Sequence, residues 1–261
     1  MKPSTKPVVV KIGSSALVGG ALEDLSGLLA DDAPVPVAIV HGGKAQLNRM
    51  LEALGIPSEF REGLRVTDEA TMTVAEMVFA GQVNKGLVRE LYAMGVPAVG
   101  ISGTDGPTLH VEPVPNLGRV GSVTRVEPHL VETLWAGGFV PVIAPLGSGP
   151  EGAYNVNADS AAAALAVGLG AGYLFFLTDV DGLLDSGEAV PALAPEECEE
   201  YIEKRLAVGG MVPKLRAAAE AARRGVEARI VNGNKKGSLV RAIAGEEIGT
   251  LISEGVAACK R

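Results

Sequence analysis

The chain is short of several things, and each shortage excludes a class of protein. Only two of its 261 residues are cysteine. These, Cys198 and Cys259, stand outside any CxxC spacing, which speaks against a disulfide scaffold or a thiolate metal site and leaves them as reduced thiols. Aromatic residues make up 4% of the chain against 47% hydrophobic overall, so Val, Ala, Leu and Gly must build the interior. No apolar run approaches the roughly 20 residues that cross a bilayer. Lys11 also interrupts the first apolar stretch before it reaches the length of a signal-peptide core. Positive charge is in deficit, with a net charge of −8, and a basic surface is what phosphate-backbone binding requires. These absences lead us to expect a cytoplasmic protein with no nucleic-acid or membrane partner.

Familiar catalytic signatures are missing too. There is no GxxxxGK[ST] phosphate loop, no GxGxxG at the first helix and no GxSxG nucleophile elbow. The three histidines, His41, His110 and His129, show no metal-ligand spacing, and no protein-held metal is expected. Chemistry built on backbone amides and cations remains open, as in phosphoryl transfer, where catalysis is mostly positioning and charge neutralisation.

What is present is regular alternation. Short β-branched runs at Val8–Ile12, Val35–Val40, Ala98–Ile101, Val140–Ala144, Tyr173–Thr178 and Ala228–Val231 read as buried strands. Between them lie helical patterns at Ser26–Leu29, Ala45–Leu54, Glu69–Met94, Leu130–Trp135, Ser160–Leu169 and Leu215–Arg224. That order predicts an α/β fold, a three-layer αβα sandwich on a mainly parallel central sheet. Leu109–Val126, broken by Pro and Gly, reads as a small β-hairpin insertion. The GSGPEG stretch at 147–152 is the expected hinge, dividing a single domain, 1–261, into an N-lobe of about 1–150 and a C-lobe of about 151–261. At this length one core buries roughly three quarters of the extended chain's surface.

Two lysines adjoin glycine turns, Lys11 in VVVKIGSS and Lys214 in GGMVPKLR, with HisGlyGly at 41–43 between them. Lys11 sits near the end of a buried strand, where ligands of parallel sheets collect, and Gly13 leaves the main chain open to approach. Gly42 and Gly43 repeat the arrangement one crossover later, where their N–H groups could cradle an anion. The alternative is a lysine escaping to solvent and plain turn chemistry. Lys214 would lie at the N-terminal edge of a helix closed by Gly225, against the dipole, so a nearby anion would resolve the conflict. Taken alone, Arg65 reads as a surface arginine, Asp159 as a helix N-cap, and Asp68 and Glu76 as solvated helix charges.

Read together, the segments GLRVTD, AVGISGTDG, LGRVGSV, YNVNADSAAAALA, LTDVDGLL and GGMVPK resemble, in order and spacing, the amino acid kinase superfamily and most closely its N-acetylglutamate kinase branch, over about Val8 to Ile252. The resemblance implies ATP-dependent phosphorylation of the γ-carboxylate of N-acetyl-L-glutamate, in arginine biosynthesis. It assigns Lys11 and Lys214 to the transferring phosphoryl group and Asp159 to positioning both lysines. Gly13, Gly42 and Gly43 would hold phosphoryl oxygens, Arg65 and Asn155 the substrate's α-carboxylate, and Thr178, Asp179, Val180 and Gly182 the nucleotide. The N-lobe would bind the amino acid and the C-lobe ATP, with Mg²⁺ carried in on the phosphates. A γ-carboxylate is already ionised at neutral pH, so no catalytic histidine is needed, and His41 is structural or supporting. Two departures stand out. VVVKIGSS carries KxGxS rather than KxGG, and HGGK replaces the commoner HGGG, which sets Lys44 beside the phosphoryl site. An acceptor held on an acidic carrier protein is therefore the alternative, with glutamate 5-kinase or a nucleotide-sensing subunit behind it. Only about seven residues precede the first strand, and a homodimer without arginine feedback is expected.

Overall fold

A computed structural model describes residues 6–13, 20–29, 35–61 and 63–256; Cys259 lies outside them, as do Ser14 and Ser15 of the first glycine turn. The first part of the chain runs β1 (Val8–Ile12), α1 (Ala21–Leu29), β2 (Val37–His41), α2 (Lys44–Ala53), the hairpin β3 (Phe60–Arg61) and β4 (Leu64–Arg65), and α3 (Glu69–Glu76). A π-helical turn (Met77–Val83) then leads through α4 (Asn84–Ala93), β5 (Ala98–Ser102), β6 (Leu109–Pro113), β7 (Val120–Val126), α5 (His129–Ala136) and β8 (Val140–Ala144). Next come β9 (Leu146–Gly149), β10 (Gly152–Val156), α6 (Ala158–Gly168), β11 (Tyr173–Thr178), β12 (Leu184–Asp185), β13 (Glu188–Ala189) and β14 (Ala192–Leu193). The last elements are α7 (Glu197–Glu203), α8 (Met211–Arg223), β15 (Glu227–Asn232), α9 (Ser238–Ile243) and β16 (Thr250–Ile252).

The central sheet has the order β14-β16-β15-β11-β1-β2-β8-β5. Its pairings are parallel except β15 with β16. Strands from the two halves of the chain meet where β1 pairs β11, with Lys11 opposite Phe176. Because side chains alternate across a strand, Val8, Val10 and Ile12 pack one way, against Leu22 and Leu25 of α1, Leu87 and Leu91 of α4 and Leu239 of α9. Val9, Ala38, Val40, Leu174 and Phe176 pack the other way, against α6 and α8. Lys11, two residues from Val9, shares that second face. The helices there present Ala161, Ala162, Ala166, Ala218, Ala221 and Ala222, all buried. Small side chains let the helices lie close to the sheet, and a large residue in their place would cost about 1–3 kcal/mol of overpacking.

Four expectations need correction. The 109–126 hairpin exists, β6 against β7, but β9 and β10 close it into a four-stranded barrel. The 147–152 stretch is therefore part of the hairpin β9–β10, with Pro150 and Glu151 at its turn, rather than an irregular linker. The long helix expected over 69–94 carries seven π-helical residues, Met77–Val83, at its middle. Finally, α8 begins at Met211, so Lys214 lies inside its first turn rather than at its edge.

Candidate active site

Three adjacent parallel strands, β11, β1 and β2, end on one edge of the sheet, and a cavity of about 760 Å³ opens there. Lys11, Gly13, Gly42, Gly43, Arg65, Asn155, Asp159, Thr178, Asp179, Val180, Gly182 and Lys214 all line it. Sequence positions more than two hundred residues apart thus share one wall.

At the floor, one carboxylate oxygen holds two ammonium groups. Asp159 Oδ1 lies 2.8 Å from Lys11 Nζ and 3.1 Å from Lys214 Nζ. All three residues are buried, at 7%, 7% and 6% relative exposure for Lys11, Asp159 and Lys214. Local structure explains the geometry. The N-cap of α6 is Asn157, whose side chain accepts from Asp159 N at 2.9 Å and Ser160 N at 3.1 Å. Asp159 is consequently not the cap, and its carboxylate is left to face the sheet and α8. Lys11 is the penultimate residue of β1, fully enclosed rather than escaping to solvent. Burial alone would push the Asp159 carboxyl up, but the two lysines hold it below the ordinary carboxylate value. Burial pushes the Lys214 ammonium down, and the Lys11 charge adds to this against the pull of Asp159 and Asp179. The three groups carry a net charge of +1 out of water, a condition that favours an entering anion.

The glycine turns differ in what they offer. Gly42 N–H donates to Ile12 O at 2.8 Å and Gly13 N–H to Leu177 O at 3.1 Å. Both are committed to the sheet. Gly43 N–H has no hydrogen-bond partner among the described residues, and Gly43 is the N-cap of α2 with no capping side chain. A side chain at Gly43 would put its Cβ 2.8 Å from two ring carbons of Phe79. That ring is brought in by the π-helical turn.

At one end of the cavity, Arg65 of β4 is 6% exposed and donates from Nη1 to Ser58 Oγ and from Nη2 to Asn48 Oδ1. Burial lowers the pKa of its guanidinium, which stays charged. Asn155 Nδ2 donates to Thr67 Oγ1 at 3.1 Å, and that hydroxyl donates to the Arg65 carbonyl at 2.9 Å. Arg65 and Asn155 are thereby tied into one frame. Phe60 carries two cations on its ring, Arg65 and Lys44, each 4.6 Å from the centroid. Thr178 closes β11 and Asp179 to Gly182 follow it, with apolar Leu206 and Val208 lining the same cavity. Gly182 has φ +139°, and a Cβ there would stand 2.6 Å from Thr250 Oγ1. That hydroxyl is already bonded to Leu183 N and Val190 O, so only glycine suits the turn.

Sequence reasoning missed Asn48, Ser58 and Phe60, which hold or shape the Arg65 end, Phe79, whose ring stands against Gly43, and Asn84, described below. Asp68, expected as a solvated charge, is exposed but caps α3 by accepting from Thr71 N at 2.8 Å. Among the described residues no group of three or more His, Cys, Asp or Glu could hold a metal, and no helix is long and apolar enough to cross a membrane.

Residues 6–232 match the Amino acid kinase family. A protein of Rubrobacter xylanophilus named acetylglutamate kinase is 66% identical over 249 residues, covering 95% of this chain and 98% of that one. One of the same name from Bacillus cytotoxicus is 43% identical, covering 84% and 85%. Among solved structures, smu.665 of Streptococcus mutans UA159 superposes with a TM-score of 0.85 at 28% identity, covering 96% and 99%.

Proposed function

The chain belongs to the amino acid kinase family, and from that premise we propose that it moves the γ-phosphoryl group of ATP onto the γ-carboxylate of N-acetyl-L-glutamate. The products are ADP and N-acetyl-L-glutamyl 5-phosphate, a step of arginine biosynthesis. The relatives' shared name, acetylglutamate kinase, supports this acceptor over a carrier-bound one. The observation that carries the chemistry is the pair of buried ammonium groups on one oxygen of Asp159.

The reaction brings one anion against another. A carboxylate oxygen of the acceptor forms a bond to the γ-phosphorus while the bond from phosphorus to the ADP oxygen breaks. The acceptor is ionised at neutral pH, so no proton has to move. Lys11 and Lys214 offset the repulsion, Lys11 beside the glycine turns and Lys214 beside the Thr178–Gly182 end. Asp159 holds both in place before the substrates arrive, so little reorganisation remains for the reaction itself. The Gly43 N–H offers a further donor to the phosphoryl oxygens. Arg65 is suited to the acceptor's α-carboxylate, with Asn155 beside it, because a planar guanidinium meets a carboxylate at two points. Residues of about 1–150 would hold the acid and those of about 151–261 the nucleotide.

Mg²⁺ fits this site as an ion whose ligands are phosphate oxygens and water, and when bound it supplies further charge neutralisation on the phosphates. The same reading takes the enzyme as a cytoplasmic homodimer, and the mass in solution tests the dimer. Incubation with ATP, Mg²⁺ and hydroxylamine tests the function. N-acetyl-L-glutamate should give stoichiometric ADP and a hydroxamate, with free L-glutamate giving far less. Hydroxamate from glutamate or from a carrier-linked acceptor alone would overturn the acceptor assignment.

A further inference from the structure

His41 ends β2 directly before the glycine turn and is fully buried. Its Nδ1 lies 2.7 Å from Gly42 O and its Nε2 lies 3.2 Å from Asn84 Nδ2. The partners fix the tautomer. A carbonyl oxygen only accepts, so Nδ1 carries the proton; an amide nitrogen only donates, so Nε2 presents its lone pair. Burial pushes the imidazole down to about 4, with the charges of Lys85 and Lys11 adding to it and the Gly42 bond opposing it.

Asn84 is itself immobilised. It is fully buried at the junction of the π-helical turn and α4, and the two N–H groups of its amide serve three acceptors, Val142 O at 2.9 Å, Ile101 O at 3.2 Å and His41 Nε2 at 3.2 Å, so one N–H is shared between two of them. Its Oδ1 accepts from Lys85 Nζ at 3.1 Å. The amide orientation follows from these contacts, since two carbonyls can face only the NH₂ side. His41 is thus gripped by a side chain that is anchored on β5 and β8.

The consequence appears on the far side of one peptide plane. Gly42 C=O and Gly43 N–H belong to the same trans peptide group, and in such a group they point in opposite directions. Drawing the carbonyl toward His41 turns the Gly43 N–H away from it. That N–H is the one the glycine turns leave without a partner among the described residues, in a segment that lines the cavity. We propose that His41 is a positioning residue which, held by Asn84, fixes the Gly42–Gly43 peptide so that its N–H faces the transferring phosphoryl group. This rests on the phosphoryl-transfer reading above. The competing account is a satisfied polar pair that only stabilises the core.

Two isosteric substitutions separate the accounts. His41→Asn sets an amide nitrogen where Nδ1 stands and keeps the bond to Gly42 O while losing Asn84. His41→Gln reaches the Nε2 position and gives Asn84 its acceptor while leaving Gly42 O free. Loss of one preorganised donor costs on the order of 10²–10³ in kcat. We therefore expect His41→Gln to lose roughly 100-fold in kcat with KM for ATP and acceptor changed by less than about threefold. His41→Asn should recover at least about tenfold of that loss. Equal kcat in two variants of equal thermal stability would overturn the proposal. Imidazole ¹⁵N spectra of the wild-type enzyme supply a readout that does not depend on the variants folding or on the acceptor. They should show a neutral ring protonated at Nδ1 from pH 5 to 8, and a ring protonated at Nε2 would overturn the proposal even if turnover of N-acetyl-L-glutamate is normal. Absence of that turnover in wild type would sink the acceptor reading and leave the tautomer result standing.

Discussion

Asp159→Asn keeps the shape of the side chain and removes the one negative charge between two buried ammonium groups. At an effective dielectric constant of about 20, contacts of 2.8 and 3.1 Å correspond to gross attractions of roughly 5–6 kcal/mol each. The net effect is smaller, because stranding a buried partner typically costs about 3–5 kcal/mol. A second bound agrees. The stranded site can shed a proton from one lysine, and moving a group of ordinary pKa about 10.4 to neutrality at pH 7 costs about 5 kcal/mol. The variant should lose about 3–5 kcal/mol at pH 7, which for a chain of this size is a fall in Tm on the order of 10 °C. The deficit should shrink as pH rises toward 10, because the unfolded lysines then lose their protons as well. Adding Lys11→Met to Asp159→Asn should restore part of the loss, since it removes one stranded charge. Thermal unfolding followed by circular dichroism at pH 7 and 9.5 reads all three outcomes. A single variant within about 1 kcal/mol of wild type at pH 7, with no gain from the second substitution, would refute the argument that Asp159 holds both lysines.

Three further outcomes follow from the same geometry. Lys214→Ala should lower kcat on the order of 100-fold or more with little change in KM, whereas Arg65→Ala should mainly raise the KM for N-acetyl-L-glutamate, by about tenfold or more; steady-state kinetics showing the reverse would mean the two ends are misassigned. His41 has its pKa depressed to about 4, so it contributes stability above the unfolded value of about 6.5 that is lost as pH falls toward 4. That loss is about 3 kcal/mol, and urea unfolding at pH 7 and 4.5 should show a steeper decline in wild type than in His41→Asn. Lys44 sits on the Phe60 ring with no carboxylate partner among the described residues, and Lys44→Met should raise the acceptor's KM at low salt and flatten its salt dependence, while an unchanged salt slope would place Lys44 outside acceptor binding.

Much of the sheet was legible because parallel strands buried on both faces need continuous β-branched runs, and β1, β8 and β11 fall where those runs lie. The barrel was not legible, because β9 reads Leu-Gly-Ser-Gly and meets β10 through Pro150 and Glu151, a run rich in turn residues. Gly147 and Gly149 stand where a Cβ would come within 2.4 Å of Val111 and Tyr154, so glycines that look like a loop are close-packing residues of a strand. The π-helical turn left no trace in a 3.6-residue periodicity, which cannot reveal one extra residue per turn. Asn84 did leave one, as a polar residue at a position of α4 that faces the core. Short pairings such as β3–β4 and β12–β13 span two residues each, too few for any pattern. The residues around the cavity were found by motif, but the contacts of Asn48 and Ser58 with Arg65 depend on chain segments that only folding brings together, and the cap of α6 is Asn157, two residues before the Asp159 that the sequence offered for that role.

The most direct test of the central claim is a crystal structure with ADP, Mg²⁺, aluminium fluoride and N-acetyl-L-glutamate, the fluoride standing for the transferring phosphoryl group. The account predicts that the Nζ atoms of Lys11 and Lys214 both lie at hydrogen-bond distance, roughly 3 Å, from the fluoride or the neighbouring ADP oxygens, with the Asp159 carboxylate still touching both. A planar fluoride seated elsewhere in the cavity, with either lysine turned away from it, would contradict the account.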